Sequence, residues 1–509
     1  MNSIKSLCLI TLLLFSSHTF GISYYINSSA GSDRNSGLSP HNAWQSIEKA
    51  SKGIYLAGDK ILLKAGLNYN GGLVLKSISG ELGNPVLISS YGNGKATILS
   101  ADSTAILATD CHFLDVENLI CKGSGRMNGN NSNGVDFYEN TNLRLNNIEA
   151  SGYLYSGIRT TGGSDISIKN VYAHDNGYCG VYVTPNRKNK IKDNTKTIRN
   201  VYIGHSVAEN NPGCPAIKDN HSGNGILVGG VTNATIEYCE AMNNGWDMPR
   251  AGNGPVGIWI YQSDSVIIQH CYAHHNKTSA KGSDGGGFDF DGGVTNSIMQ
   301  YNFSMYNEGA GYGMFQYADA EPWNNNIVRY NISFHDGVKH GQCGIFMWCD
   351  PAAIQMKNLH AYNNTIVNKY GHGVNFLPGH YENFVFENNI FLITGATTEF
   401  TGGEFSGAVF KRNLYWSSFN ASNSLEQPNV RLELNPIVAD PLVVLPTSDS
   451  LLNLNPKTIN TISFFKVKSK SPAINAGNRI KNNGGKDYWA NRLQTKGKQN
   501  IGAHSKQSK

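Results

Sequence analysis

One short phrase recurs through the middle of the chain: Gly, apolar, any residue, apolar. It begins at Gly134, Gly157, Gly180, Gly225, Gly257, Gly287, Gly313, Gly344 and Gly373. A second phrase opens on Asp or Asn, alternates apolar positions and closes on Asn or Asp, starting at Asp165, Asn233, Asp264, Asn296 and Asn325. Apolar residues at i and i+2 read as strands with one face buried, and the Gly and Asn clusters between them read as turns. Such short strands cannot stand as independent hairpins, and the turn residues would break helices. A stack of parallel coils, each of about 30 residues, satisfies both constraints. In that stack each strand pairs with its equivalent one turn away. Asn302, Asn331 and Asn363, each following a Tyr, are expected to form an internal ladder that bonds the turn backbones. Cys239 and Cys271 fall one coil apart in equivalent places, close enough for a disulfide or for two buried thiols.

The ends of the chain read differently. Residues 1–21 carry one Lys, an apolar run from Leu7 to Phe15, and small residues that suit cleavage, so they are expected to be an export signal. The run is shorter than the roughly 20 apolar residues of a membrane span, and no later segment is apolar enough to cross a bilayer. Residues 22–110 hold a cap and the first coils; within them the stretch from Ala43 has helical spacing, with Trp44 and Ile47 on one face. Residues 111–395 hold the repeats, and residues 396–509 the last coils and a closing tail along the side of the stack.

Composition narrows the function. The chain has 509 residues, 56 of them Gly, with 40% hydrophobic and 16% charged residues, so it can bury a large core. Forty-two Lys and Arg against 37 Asp and Glu give a net charge of +5 without basic runs, which argues against a nucleic-acid partner. The expected destination is secreted, periplasmic or cell-surface, and the expected state is a monomer. After signal removal eight cysteines remain, a number that permits disulfides without fixing their pairing.

The opening segment from Tyr24 to Ile47 resembles a motif of many exported proteins of the pectin-lyase-like superfamily, matching at Tyr25, Gly31, Ser32, Asp33, Asn35, Gly37, Pro40 and Trp44. The tail is similar to the closing motifs of that family at Ala439, Ser471, Asp487 and Asn500. The resemblance implies an all-β, right-handed parallel β-helix solenoid with an N-terminal helical cap and an irregular C-terminal tail. For activity it is broad, since the family holds lyases, hydrolases, epimerases and adhesin-like proteins. Gly371-His372-Gly373 matches one element of the polygalacturonase-like pattern, but its companion segments are missing.

Chemistry is sought in the outward residues of the Gly phrase. They stack as Asp136, Arg159, Tyr182, Leu227, Trp259, Asp289, Phe315, Phe346 and Asn375, and two residues further along come Tyr138, Tyr261, Asp291, Tyr317 and Trp348. Sugar rings stack on such amphipathic aromatics, so Tyr182, Trp259, Tyr261, Phe315, Tyr317, Phe346 and Trp348 are the candidate polysaccharide-binding residues. The alternative is that the tail or a loop covers this face. Asp289 and Asp291, at i and i+2, point the same way, and like charges this close raise one pKa, as an acid–base pair requires. Glycoside hydrolysis by this pair, with Glu308 and Arg159 as further candidates, needs no cofactor. Two other readings stay open. Asp284, Asp289 and Asp291 could hold calcium for β-elimination on a uronic acid, with Arg159, Lys339 or His340 as base. A non-catalytic carbohydrate-binding or surface protein would use the same face without cleavage.

Overall fold

A computed structural model describes residues 21–186, 198–339, 342–395, 401–403, 406–418, 433–447, 454, 458 and 461–505. Residues 1–20 of the expected export signal, and His340, lie outside the described residues. Nearly every element is a short strand paired in parallel with its equivalent one coil away. One sheet of 12 strands runs in strict coil order from Leu73–Lys76 to Thr401–Gly402. The other, of 27 strands, pairs in two columns that the long strands His112–Gly123 and Thr141–Ser151 bridge. Among the described residues no helix is long and apolar enough to cross a membrane.

Six strands of the 12-stranded sheet carry the argument: β1 (Cys179–Thr184), β2 (Asn224–Gly229), β3 (Val256–Tyr261), β4 (Gly286–Phe290), β5 (Tyr312–Gln316) and β6 (Ile345–Cys349). Their alternate apolar residues, such as Ile258, Ile260, Phe288 and Phe290, fill the interior. The cap is as expected: α1 (Ile47–Ser51) starts at Ser46, whose hydroxyl accepts from the Lys49 N–H, and buries Ile47 and Ala50 over the first coil.

Two asparagine ladders run through the turns. One passes through Asn176, Asn211, Asn244, Asn276 and Asn307; the other through Asn302, Asn331, Asn364, Asn389 and Asn413. Each rung after the first accepts at Oδ1 from both the backbone and side-chain N–H of the preceding rung, while the first rungs, Asn176 and Asn302, accept from the Tyr153 and Cys271 N–H. Each rung gives one amide hydrogen forward and one back: Asn331 Nδ2 donates to Asn364 Oδ1 (3.1 Å) and to the Met299 carbonyl (2.8 Å). The rung is Asn364, one residue later than the expected Asn363. Asn363 instead takes the left-handed turn position (φ 53°) that Tyr301 and Tyr330 hold in earlier coils, and its amide donates to the tail carbonyls of Asn500 and Gly502. Cys239 and Cys271 occupy equivalent sites, and all eight described cysteines are unbridged and buried.

The tail packs along the 27-stranded sheet. Phe464, Phe465, Val467, Tyr488 and Ile501 close a core with Tyr272, Phe303, Ile332 and Phe334. Arg329 donates to the Asn482 carbonyl (2.9 Å) and Asn388 to the Asn478 carbonyl (2.8 Å). The described tail residues in this core thus pack on the 27-stranded sheet and not on the aromatic face of the 12-stranded one.

Asn331→Ala strands the Asn302 backbone and side-chain N–H groups inside the wall. The expected loss is about 3 kcal/mol, read as a lowered Tm in thermal unfolding, whereas the same change at exposed Asn383, which holds a left-handed turn (φ 55°) and whose side chain bonds only Asn358, should cost about 1 kcal/mol.

Candidate active site

The outward residues of β1 to β6 line a cleft of about 740 Å³. All seven aromatic residues expected to bind sugar lie on it, with Asp284, Asp289 and Asp291. The rings form two walls. On the N-terminal side Trp259 packs with Leu227, Val256 and Cys179 against Tyr178, Tyr182 and Tyr261. On the C-terminal side Phe315 and Phe346 pack with Ala310, Cys343 and Trp348, the Phe315 and Phe346 rings meeting edge to face at 5.9 Å. The carboxyls sit between. The rings thus bury one flank against each other while the other flank faces the cleft, so groove and packing are both realised.

Strand register moves two residues from the expected one, which keeps the same face outward. Asp289 pairs with Trp259 on one side and with Gly313, not Phe315, on the other. The phrase in β5 begins at Gly311: Tyr312 points inward, its hydroxyl reaching the carbonyls of Asn302 and Ile332 (2.9 and 2.7 Å), and Phe315 pairs with Trp348 in the Asp291 column. A Cβ at 313 would stand 2.7 Å from the Phe315 ring and 3.2 Å from Asp289 Oδ1. The missing side chain is what lets that ring fold over the strand beside Asp289.

Burial governs the carboxyls. Asp289 is 3% exposed and its Oδ1 has no hydrogen-bond partner. Burial first, then the neighbouring charges of Asp291 and Asp284, hold its pKa well above the usual carboxylate range. Asp291 is pushed up to about 7 by burial and by Asp284, against the Gly292 N–H that donates to its Oδ1 at 2.8 Å. Asp284, which accepts from the Gly254 N–H at 2.7 Å and lies near Arg250, is pushed up by burial to about 6.

Other candidates are placed elsewhere. Arg159 grips Asp136 with two bonds of 2.9 and 2.6 Å, four strands from Asp289. Glu308 is not on the cleft: it accepts from the Thr278 N–H (2.9 Å) and pairs with Lys339 (3.3 Å), which also donates to the Thr278 and Ser279 carbonyls. Both residues staple turns. Among the described residues no three His, Cys, Asp or Glu side chains form a group that could hold a metal ion. His221, Asn220, Arg250, Asn253 and Gln342 also line the cleft, and sequence reading missed them. They lie in long turns outside the repeating phrases; the available signal was that residues 220 and 221 precede the Gly225 phrase much as Asp284 precedes the Gly287 phrase.

A family model described as "Right handed beta helix region" matches residues 197–391. A lacto-N-biosidase structure from Eubacterium ramulus is similar at a TM-score of 0.52 and 19% identity, covering 78% of this chain and 68% of that one. The crystal structure of pectate lyase Pel9A is similar at a TM-score of 0.51 and 16% identity, covering 96% and 97%. This chain folds as a right-handed parallel β-helix. A curated lacto-N-biosidase of Bifidobacterium longum subsp. longum is 23% identical over 90% of the chain, and the β-helix chain spans 34% of that relative's length.

The raised carboxyls set the sign of a pH effect on this β-helix. The folded chain retains protons that the unfolded chain releases above about pH 4, so these groups make stability fall as pH rises from about 4 towards 7. Asp291→Asn, whose amide does not ionise, is expected to raise Tm relative to wild type more at about pH 8 than at about pH 4.5. An equal Tm difference at both pH values would show that Asp291 is not held protonated.

Proposed function

We propose that the protein is an exported glycoside hydrolase acting on a neutral glycan, with Asp289 and Asp291 as its acid and base or nucleophile. The observation that carries this reading is the pair of coupled, raised carboxyls set between two aromatic walls of one cleft. Glycosidic cleavage needs one carboxyl that keeps its proton for the leaving oxygen and one that can ionise. Asp289, buried and with an unbonded oxygen, suits the first task; Asp291, steadied by the Gly292 N–H, suits the second. Trp259, Phe315 and their neighbours offer faces for the flanking rings.

The same geometry supports hydrolysis over elimination on a polyuronate. Three carboxyls share the cleft with one described guanidinium, Arg250, and no Lys, so a chain of uronates would meet mainly like charge. Arg159 and Lys339, the described basic residues expected to abstract a proton, are held in ion pairs away from it. The likeness to lacto-N-biosidases agrees with a hydrolase and makes lacto-N-biosidase activity the first to assay.

The test is incubation with neutral and uronate-containing glycans, with products separated by mass. Fragments that gain one water are expected, and they should persist in EDTA. Asp289→Asn and Asp291→Asn should each lower kcat by 10²-fold or more, about 3 kcal/mol in the barrier, with ligand affinity retained. Products lighter by one water, or full activity in both variants, would sink the reading. Trp259→Ala should raise KM about tenfold, as the loss of one stacking face would.

A further inference from the structure

Three polar side chains form a line across the N-terminal wall. Trp259 Nε1 donates to Asn224 Oδ1 at 3.1 Å. An indole N–H can only donate, so this bond fixes which way the amide of Asn224 faces. Its Nδ2 then donates to the Tyr178 carbonyl (3.2 Å) and meets His221 Nδ1 at 3.0 Å. Because the amide nitrogen has only hydrogens to give, Nδ1 accepts, and an imidazole with a bare Nδ1 is neutral with its proton on Nε2. Asn224 is completely buried, and both its amide hydrogens and its oxygen are used. His221 lines the cleft and meets the Trp259 ring edge to face, with centroids 5.0 Å apart. Trp259 in turn is the register partner of Asp289.

We infer that Asn224 is a positioning residue that holds His221 neutral, with its proton on Nε2, and sets the Trp259 indole beside Asp289. The consequence for catalysis rests on the hydrolytic reading; the geometry does not. The other titratable groups on the cleft are four tyrosines, Arg250 and the three aspartates. A charged imidazole would add a second cation to Arg250 and favour ionised carboxylates, undoing the arrangement in which one carboxyl keeps its proton. A neutral ring supplies an uncharged wall to the bound sugar.

The test uses the full chain with ¹⁵N-labelled histidine at pH 7, without substrate, the His221 signal being identified by its loss in His221→Gln. The expected result is the Nε2–H tautomer in the wild type. In Asn224→Asp the carboxylate can only accept, so His221 should carry a proton on Nδ1 and become charged. In Asn224→Ala the tautomer preference should collapse. A wild-type proton on Nδ1, or a tautomer unchanged in the variants that fold, would overturn the inference. Where a glycan is cleaved, Asn224→Asp should lower kcat at least tenfold and displace the pH profile, with a smaller change in KM. A lowered kcat with an unmoved profile would mean a merely structural role and overturn the positioning. If the wild type cleaves nothing, the hydrolytic reading fails while the tautomer measurement still decides this one.

Discussion

Everything on the cleft depends on the register of one coil over the next, and the asparagine ladders set that register at the turns. A parallel sheet bonds strand to strand but leaves the turns between sheets with inward N–H and C=O groups and no water to reach them. Asparagine answers this because its amide accepts at one atom and donates twice at the other. Each rung spans three coils: Asn244 accepts from Asn211, donates to the Ala208 carbonyl behind and to Asn276 Oδ1 ahead. A slip of one residue would strand several such groups at once.

The ladders are directional, and that explains how they end. A last rung has acceptor duty but nothing ahead to receive its hydrogens, so an acid fits better than an amide. The first ladder ends at Asp336, which accepts from the Asn307 backbone and side chain (3.0 and 2.8 Å) and from Ser333 (2.6 Å). The second ends at Glu433, which takes both Asn413 N–H groups (3.1 and 3.2 Å) and the Tyr415 hydroxyl (2.9 Å). Both acids are raised by burial, Asp336 to about 6 and Glu433 to about 7. Their donors explain the difference from Asp289: buried acids in the ladders are surrounded by hydrogen-bond donors, whereas Asp289 keeps an oxygen with none.

Most of the architecture was legible because the coil repeats a local rule. The Gly phrase, the closing Asn and the helix at the cap each state their own environment, so the solenoid, the buried face and the two carboxylates could be read from Asp289 and Asp291 outward. Two of the errors are of one kind. Asn364 and Gly311 were each missed by a small shift, because a tyrosine stands where an apolar or turn residue was expected. Tyr312 is buried with its hydroxyl on two carbonyls, and Tyr330 takes a left-handed turn more typical of asparagine. Hydrophobic pattern alone does not separate those roles. His221 and Arg250 were missed for another reason. What places them at the cleft is the path of long turns, pinned across coils by Arg126 bonding Asp247 (2.7 Å) and the Gly213 carbonyl (3.1 Å), and no periodicity reports such a path.

The two sides of the solenoid then divide its work by what covers them. On the 27-stranded sheet the tail supplies apolar partners and carbonyls, so outward Tyr301, Phe303 and Arg329 become interior residues with satisfied groups. On the 12-stranded sheet the outward rings pack on one another and line the cleft, with the three carboxyls between the two walls. Burying a carboxyl oxygen without a donor, as at Asp289 Oδ1, costs stability. That cost is confined to the cleft because the coils around it are rigid: parallel strands and ladders on both sides prevent the local relaxation that would let water or a donor reach Asp289. A flexible loop carrying the same two aspartates would open and ionise them. The solenoid's regularity is therefore what allows an under-bonded acid, Asp289, to persist among aromatic rings.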